Sequence, residues 1–278
     1  MRRPLAQTSV RDALDSAVIA LEAAGVETPR LDAELLLAAA MGVDRAVIVA
    51  DPGRLLEPVA ARLFMDFAAR RRDREPVAYI LGCKGLRSIM LGVDPRVLIP
   101  RPETEHLVDA VLGLPAGARV CDVGTGSGAI ALALKTERPD LDVVGTDASA
   151  DALDVARENA ARLDLDVDFH VGDLLADVGG TLDAVVSNPP YVEDGARLAP
   201  EIVGFEPALA LRAGPEGLEV IRRLLPAAGA TDARLVALEI GSTQGDVVSG
   251  LMRASGFPDV HVEQDLAGLD RVVVGRRP

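Results

Sequence analysis

Val120-Cys121-Asp122-Val123-Gly124-Thr125-Gly126-Ser127-Gly128 is the stretch on which the fold turns. Its first half is an apolar run that reads as a strand, and a helical stretch opens immediately after Gly128. The glycines between them carry no Cβ, so a ligand can lie close against the backbone. Their spacing, G-x-G-x-G, is not the G-x-G-x-x-G that cradles a pyrophosphate. A loop of this kind can host the carboxylate end of a ligand beside free backbone N–H groups. Taken alone, it favours a ligand loop over a plain glycine-rich strand-to-helix turn, without excluding the latter.

The pattern downstream of this loop alternates. Strands are predicted at 119–123, 142–147, 167–171, 183–187 and 234–240, and helices near 128–137, 149–163 and 215–228. Continuous apolar strands separated by helices imply an α/β fold with a parallel sheet covered on both faces. Two further strands, near 260–264 and 271–275, have no helix between them. The turn Ala267-Gly268-Leu269-Asp270 makes them antiparallel neighbours.

Upstream, residues 5–73 read as helical. Thr8 or Ser9 can cap a first helix through Ala24, with Val10, Leu14, Val18 and Leu21 on one face. Thr28-Pro29 opens a second helix that Gly42 ends. A third runs from Pro58 to Arg72 and closes on Arg70-Arg71-Arg72, cations suited to a helix C-terminus. Val77–Gly82 and Ile89–Val93 read as two strands of a hairpin joined through Gly-Cys-Lys-Gly. Pro100 and Pro102 then fix an extended stretch, after which Thr104 can start a helix. The division is residues 1–75, helical; 76–105, a β-hairpin linker; and 106–278, the α/β domain.

Composition narrows the function classes. Nearly half of the 278 residues are apolar, aromatics make up 3%, and Trp is absent, so the core is aliphatic. Cys83 and Cys121 form no disulfide framework, which suits a reducing compartment. His106, His170 and His261 show no metal-ligand spacing, and no metal site is expected. Met1-Arg2-Arg3 leads into a polar segment and not a signal sequence, and no apolar run is long enough to span a membrane. A cytoplasmic monomer is expected. The net charge of −14 is uneven. Residues 1–105 carry 15 Lys/Arg and 15 Asp/Glu, whereas residues 106–278 carry 14 and 28. So acidic a domain repels phosphates, which argues against direct nucleic-acid binding.

Three more features sit at the ends of predicted strands. Asp147 closes the second strand, 19 residues past Gly128, where a carboxylate can accept from ribose hydroxyls. Ser149 and Asp151 compete for the following helix cap, leaving Asp147 free. Gly172-Asp173-Leu174 follows the third strand; Asp173 can accept from an exocyclic amine and Leu174 can cover a flat ring. Ser187-Asn188-Pro189-Pro190-Tyr191 follows the fourth strand, with Asn188 64 residues after Gly124. Two prolines force a stiff exit from the sheet. Asn188 then offers a side-chain carbonyl and Pro189 a backbone carbonyl. Two fixed acceptors suit an –NH₂ group with two donors, and Tyr191 adds a flat face.

With these motifs in order, the chain resembles the peptide chain release factor N5-glutamine methyltransferase family over nearly its whole length. Arg74–Gly82, Val97–Glu105, Asp122–Leu134, Ser187–Tyr191, Phe205-Glu206-Pro207 and Asp270–Gly275 carry the resemblance. It implies a Rossmann-like, seven-stranded class I S-adenosylmethionine-dependent methyltransferase sheet with a small helical N-terminal domain. It further implies methyl transfer to the glutamine of the release factor Gly-Gly-Gln motif, with S-adenosylhomocysteine as product. Gly124, Thr125, Gly126, Ser127, Gly128, Asp147, Asp173, Leu174 and Asn188 would bind the cofactor. Asn188, Pro189, Pro190 and Tyr191 would hold the amide, with Asn188, Pro189 and Tyr191 acting on it. Leu86-Arg87-Ser88 stands where many relatives have aromatics, Leu174 where some have Trp, and Ala227–Thr231 where a Pro-Gly-Gly turn is usual. An adenine-N6 methyltransferase on DNA or RNA would use the same acceptor motif. So would an enzyme acting on glutamine in another protein, whereas a non-catalytic S-adenosylmethionine-binding module would not need it.

Overall fold

The structure is a computed structural model that describes residues 8–176 and 178–278; the reading of Met1-Arg2-Arg3 and the first residues of the helical segment lie outside them. The chain divides into two units. One holds the chain up to Gly82 together with Leu198–Phe205, and the other holds Cys83–Arg197 and Glu206–Pro278.

In the helical unit, α1 (Val10–Ala23) starts where the Ser9 side chain accepts from the Asp12 amide, and it buries Val10, Leu14, Ala17 and Leu21. α2 (Pro29–Met41) begins with proline in its first turn and stops at Gly42, which adopts φ 63°. α3 (Arg45–Ala50), capped by Asp44, has no counterpart in the sequence reading, because six residues are too few to show a helical period. α4 (Pro58–Arg72) matches it. The basic end of α4 is an ion-pair set: Arg70 meets Glu75 at 2.5 Å, buried Arg71 meets buried Asp32 at 2.7 Å, and Arg72 meets Asp73 at 3.2 Å.

The segment read as the first hairpin strand is instead α5 (Val77–Leu81). Pro76 fixes the entry, the Tyr79 and Ile80 amides donate to its carbonyl, and Gly82 closes the turn at φ 69°. Adjacent Tyr79 and Ile80 are both buried, which a half-exposed strand would not allow. The hairpin lies one step later, β1 (Cys83–Leu86) against β2 (Ile89–Gly92), and turns at Arg87-Ser88.

The second unit continues with α6 (Glu105–Val111), β3 (Arg119–Val123), α7 (Ala129–Glu137), β4 (Asp142–Asp147), α8 (Ala150–Leu163), β5 (Asp168–Val171) and β6 (Ala184–Ser187). The short α9 (Pro200–Phe205) groups with the helical unit, where its Glu201 accepts from Arg71 and Arg74. Then follow α10 (Glu219–Gly229), β7 (Leu235–Glu239), α11 (Gly245–Ala254), β8 (Asp259–Gln264) and β9 (Asp270–Arg276). The seven-stranded sheet has the order β5-β4-β3-β6-β7-β9-β8; β9 runs antiparallel to both its neighbours, and the other pairings are parallel. The expected antiparallel pair at the C-terminus is therefore present.

Side chains alternate across the sheet as a strand requires. Val120, Ala184, Val186, Leu235, Ala237, Val272 and Val274 join one core with α6, α7 and the hairpin. Cys121, Val123, Val185, Val236, Leu238 and Val273 join the other with α10 and α11. The chain winds from β3 outward to β5, then crosses back to β6 on the other side of β3. That reversal leaves a crevice at the carboxyl ends of β3 and β6, where such sheets bind ligands.

Candidate active site

Both sequence motifs emerge at this crevice. The glycine loop leaves β3, Asp147 ends β4, Asp173 follows β5, Asn188 follows β6 and Glu239 ends β7. A cavity of about 520 Å³ at this edge is lined by Gly124, Gly126, Asp147, Asp173, Leu174, Asn188, Pro189 and Pro190 among others. A second cleft of about 560 Å³, beside α10 and α11, is lined by Leu225, Pro226, Leu251 and similar residues with Arg222. It gathers no convergent polar groups, so the first cavity is the candidate site.

Gly124, Gly126 and Gly128 adopt φ of 71°, 55° and 80°, left-handed values that an L side chain enters at a cost. A Cβ built on Gly124 or Gly126 would meet nothing within 4 Å, whereas one on Gly128 would lie 2.9 Å from Leu132 Cδ1. The first two glycines thus keep a space open, and the third lets α7 pack. The Gly124 and Thr125 amides donate to the Thr146 carbonyl at 2.8 and 2.9 Å, tying the loop to β4.

Asp147 is not free in the way its position suggests. Ser149 does cap α8, accepting from the Ala152 amide at 3.2 Å. Yet the Asp147 carboxylate also accepts from the Gly126 amide at 2.9 Å and the Ser149 amide at 2.9 Å. It clamps the glycine loop, and each oxygen keeps capacity for a ligand hydroxyl. Burial raises its pKa above the ordinary aspartate value.

Beneath the loop lies Asp122, fully buried. One of its oxygens accepts from Thr125 Oγ1 at 2.6 Å and from the Ala131 amide at 3.1 Å; the other has no protein partner, nor does buried Ser127 Oγ. Desolvation pushes the Asp122 carboxyl up to about 7. Thr125, Ser127 and Gly128 shape the loop from within and do not line the cavity. Asn159 of α8, not foreseen from sequence, donates to the Ser127 carbonyl at 2.8 Å and bonds both backbone groups of Gly92, joining hairpin and loop.

On the cavity wall, Leu174 holds φ 57°, and its carbonyl accepts from Thr146 Oγ1 at 2.9 Å. Asp173 is exposed and ion-paired with Arg223. Ser187 Oγ donates to the Val123 carbonyl at 2.6 Å, holding the β6 exit against the β3 exit.

Asn188 donates through Nδ2 to Thr104 Oγ1 at 3.2 Å. Thr104 in turn donates to Glu239 Oε2 at 2.8 Å, and Tyr191 donates its hydroxyl to Glu239 Oε1 at 3.3 Å. Thr104 precedes α6 as expected but makes no side-chain cap; its hydroxyl is committed to Glu239. Tyr191 does not line the cavity. Glu239 is buried, and desolvation pushes its carboxyl up to about 7. Its only sequence signal is a lone carboxylate at the end of the apolar run Leu235–Leu238. Glu206 of the Phe-Glu-Pro segment is also buried, accepting from the Ile99 amide at 3.1 Å and from Arg101 at 2.5 Å. It fixes the Ile99–Arg101 stretch next to Val97 and Leu98, which line the cavity.

A parallel sheet with one antiparallel strand, a glycine loop at its reversal point and an Asn-Pro-Pro-Tyr exit beside it define a class I methyltransferase. The description PrmC N-terminal domain matches residues 12–82, and Methyltransferase small domain matches residues 103–231. The release factor glutamine methyltransferase of Caulobacter vibrioides is 44% identical over 265 residues, covering 92% of each chain. That of Koribacter versatilis is 42% identical over 279 residues, covering 97% of this chain and 99% of its own. Among solved structures, a methyltransferase from Pyrococcus furiosus aligns with TM-score 0.52 at 19% identity, covering 67% of this chain and 87% of that one. That likeness concerns the fold alone. The chain belongs to the release factor glutamine methyltransferase family.

Proposed function

We propose that this chain transfers a methyl group from S-adenosylmethionine to the side-chain amide nitrogen of the glutamine in the Gly-Gly-Gln motif of peptide chain release factors. The observation that carries this reading is the placement of Asn188 and Pro189 in one cavity with the glycine loop, in a chain 38–44% identical to release factor glutamine methyltransferases over most of its length. The same reading makes the protein a cytoplasmic monomer whose partner is a release factor, with the helical unit as a second contact. No helix among the described residues is long and apolar enough to cross a membrane.

The cavity suits the proposed cofactor. Its volume lies in the range of small-molecule sites, and Gly124 and Gly126 leave room where any side chain would intrude. Asp147 would accept from the ribose hydroxyls, Asp173 from the adenine amine, and Leu174 would cover the ring. Gly124 and Gly126, with Asn188, would flank the methionine end, while Thr125, Ser127 and Gly128 hold the loop in shape. When bound, S-adenosylmethionine supplies a methyl group already activated on a positively charged sulfur.

This chain's own residues then have one main task, alignment. The nitrogen of an amide is a poor nucleophile because its lone pair is delocalised. Asn188 Oδ1 and the Pro189 carbonyl would accept its two N–H bonds and raise electron density on nitrogen as positive charge develops there. Pro189 and Pro190 stiffen the exit so that both acceptors stay put. The displaced proton can leave to water.

The test is incubation with methyl-labelled S-adenosylmethionine and, separately, release factor, DNA and RNA, followed by mapping of the labelled product. One methyl on the glutamine of Gly-Gly-Gln is expected. Label on an adenine amine, or on a different residue, would replace this reading.

A further inference from the structure

Asn188 can accept from a substrate amine only if its carbonyl, and not its NH₂, faces the cavity. An amide can rotate by half a turn and present either end, so something must fix the choice. The answer lies behind it. Thr104 Oγ1 has one hydrogen and two acceptor lone pairs. Its hydrogen goes to Glu239 Oε2 at 2.8 Å, which leaves only acceptor capacity toward Asn188, 3.2 Å away. The group facing Thr104 must therefore be the NH₂. The second Glu239 oxygen is held by the Tyr191 hydroxyl at 3.3 Å.

We propose that Glu239 and Thr104 are positioning residues that set, through a one-directional hydrogen-bond relay, which end of the Asn188 amide meets the acceptor nitrogen. The inference rests on the function proposed above for Asn188. The relay depends on Glu239 being ionised. A protonated carboxyl can donate to Thr104 Oγ1; Thr104 then donates to Asn188, and the amide turns its NH₂ toward the acceptor. Two donors would face each other, and the nitrogen could not be held.

Glu239 sits where this exchange falls near neutrality. Thr104 and Glu103 face it from the turn before α6, Tyr191 from the exit after β6, and Arg271 from β9. Burial and Glu103 favour the protonated form; Thr104, Tyr191 and Arg271 favour the ionised one, and the balance is a carboxyl at about 7. Tyr191 stays a donor throughout, since burial raises its phenol above the usual value.

The experiment compares wild type with Thr104→Val, Thr104→Ser and Glu239→Gln, measuring kcat and KM for the methylated substrate from pH 5.5 to 8.5, and S-adenosylmethionine affinity alongside. Thr104→Val is expected to lower kcat about 30-fold with cofactor affinity within about threefold, less than the roughly hundredfold or greater cost of removing an oriented group at a reacting centre outright. Thr104→Ser should restore kcat. Wild-type kcat/KM should fall about tenfold per pH unit below the Glu239 pKa, and Glu239→Gln should be slow and flat over that range. Full activity in Thr104→Val, no rescue by serine, or an unchanged acid limb in Glu239→Gln would overturn the relay. A reading independent of turnover comes from the side-chain amide resonances of Asn188 in the wild-type protein. Their nuclear Overhauser contact with the Thr104 methyl should be present at pH 8.5 and lost at pH 5.5. A contact that persists at both would overturn the relay whatever the substrate proves to be. Absence of release factor methylation with that contact behaving as expected would instead count against the functional reading alone.

Discussion

Asn188 and Asp147 both end strands at the crevice, yet losing each should fail differently. Under the proposed function, Asn188→Ala removes an acceptor whose use grows as charge develops on the nitrogen. It is therefore expected to lower kcat about 100-fold or more, while melting temperature stays within a degree or so of wild type. Single-turnover methylation and thermal melting check this together. Asp147 clamps the Gly126 amide, and under the proposed function it would also offer acceptors to the cofactor. Asp147→Asn replaces one acceptor oxygen with a donor, so it must break either the clamp or the ligand bond. Calorimetry should show S-adenosylmethionine affinity reduced about tenfold or more, the cost of one charged hydrogen bond plus an unmatched partner. Both residues were legible because each lies within a contiguous motif. Glu239 was not. A carboxylate at the end of an apolar strand acquires meaning only when Thr104, 135 residues away, and Asn188 are folded against it.

Elements were legible where local chemistry and period agreed. α8 has Ser149 as its cap, and Ala152, Leu153, Val155, Ala156 and Ala160 buried on one face. Ser149→Ala removes the bond from the Ala152 amide and should cost about 1 kcal/mol, or a few degrees in melting temperature, with little change in kcat. Differential scanning calorimetry is the check, and Ser149→Asp should recover the loss. The glycine loop offers a sharper contrast. Gly126→Ala places a methyl in open space, so its cost is left-handed strain and a group projecting into the cavity where the proposed cofactor would lie. Gly128→Ala presses on Leu132 and should lower the melting temperature more, which thermal melting of the two variants would show. Where period was ambiguous, sequence misled. Val77–Leu81 is apolar throughout, and five such residues cannot distinguish a strand from a helical turn. α11 contains Gly245, Gly250 and two adjacent valines, all poor helix formers, and its helix is held by packing Val248 and Met252 onto the sheet.

At the scale of the whole molecule, the sheet order follows from connection rules that sequence already carries, whereas the pH response of the fold follows from burial that only the structure reveals. Asp122 and Glu239 are carboxyls raised from ordinary values of 3.8 and 4.5 to about 7. Between the unfolded and folded values the native state binds more protons than the unfolded chain, so stability must fall as pH rises. The fall begins near pH 4, is steepest where the unfolded groups have ionised and the buried ones have not, and levels off above about 7. Asp94, Asp140, Glu201 and Asp265 are shifted downward, and their opposing contribution is confined to pH near and below their ordinary values. Between pH 5 and 7.5 the raised carboxyls, to which Asp147 adds in the same direction, should therefore dominate. Melting temperature of the ligand-free protein is expected to decline across that window. Asp122→Asn, which keeps the shape but cannot ionise, should flatten the decline. Activity should move the other way, since ionised Glu239 is the form that orients Asn188. Melting temperature rising from pH 5 to 7.5, or a slope unchanged in Asp122→Asn, would show that these carboxyls do not carry the pH response of the fold.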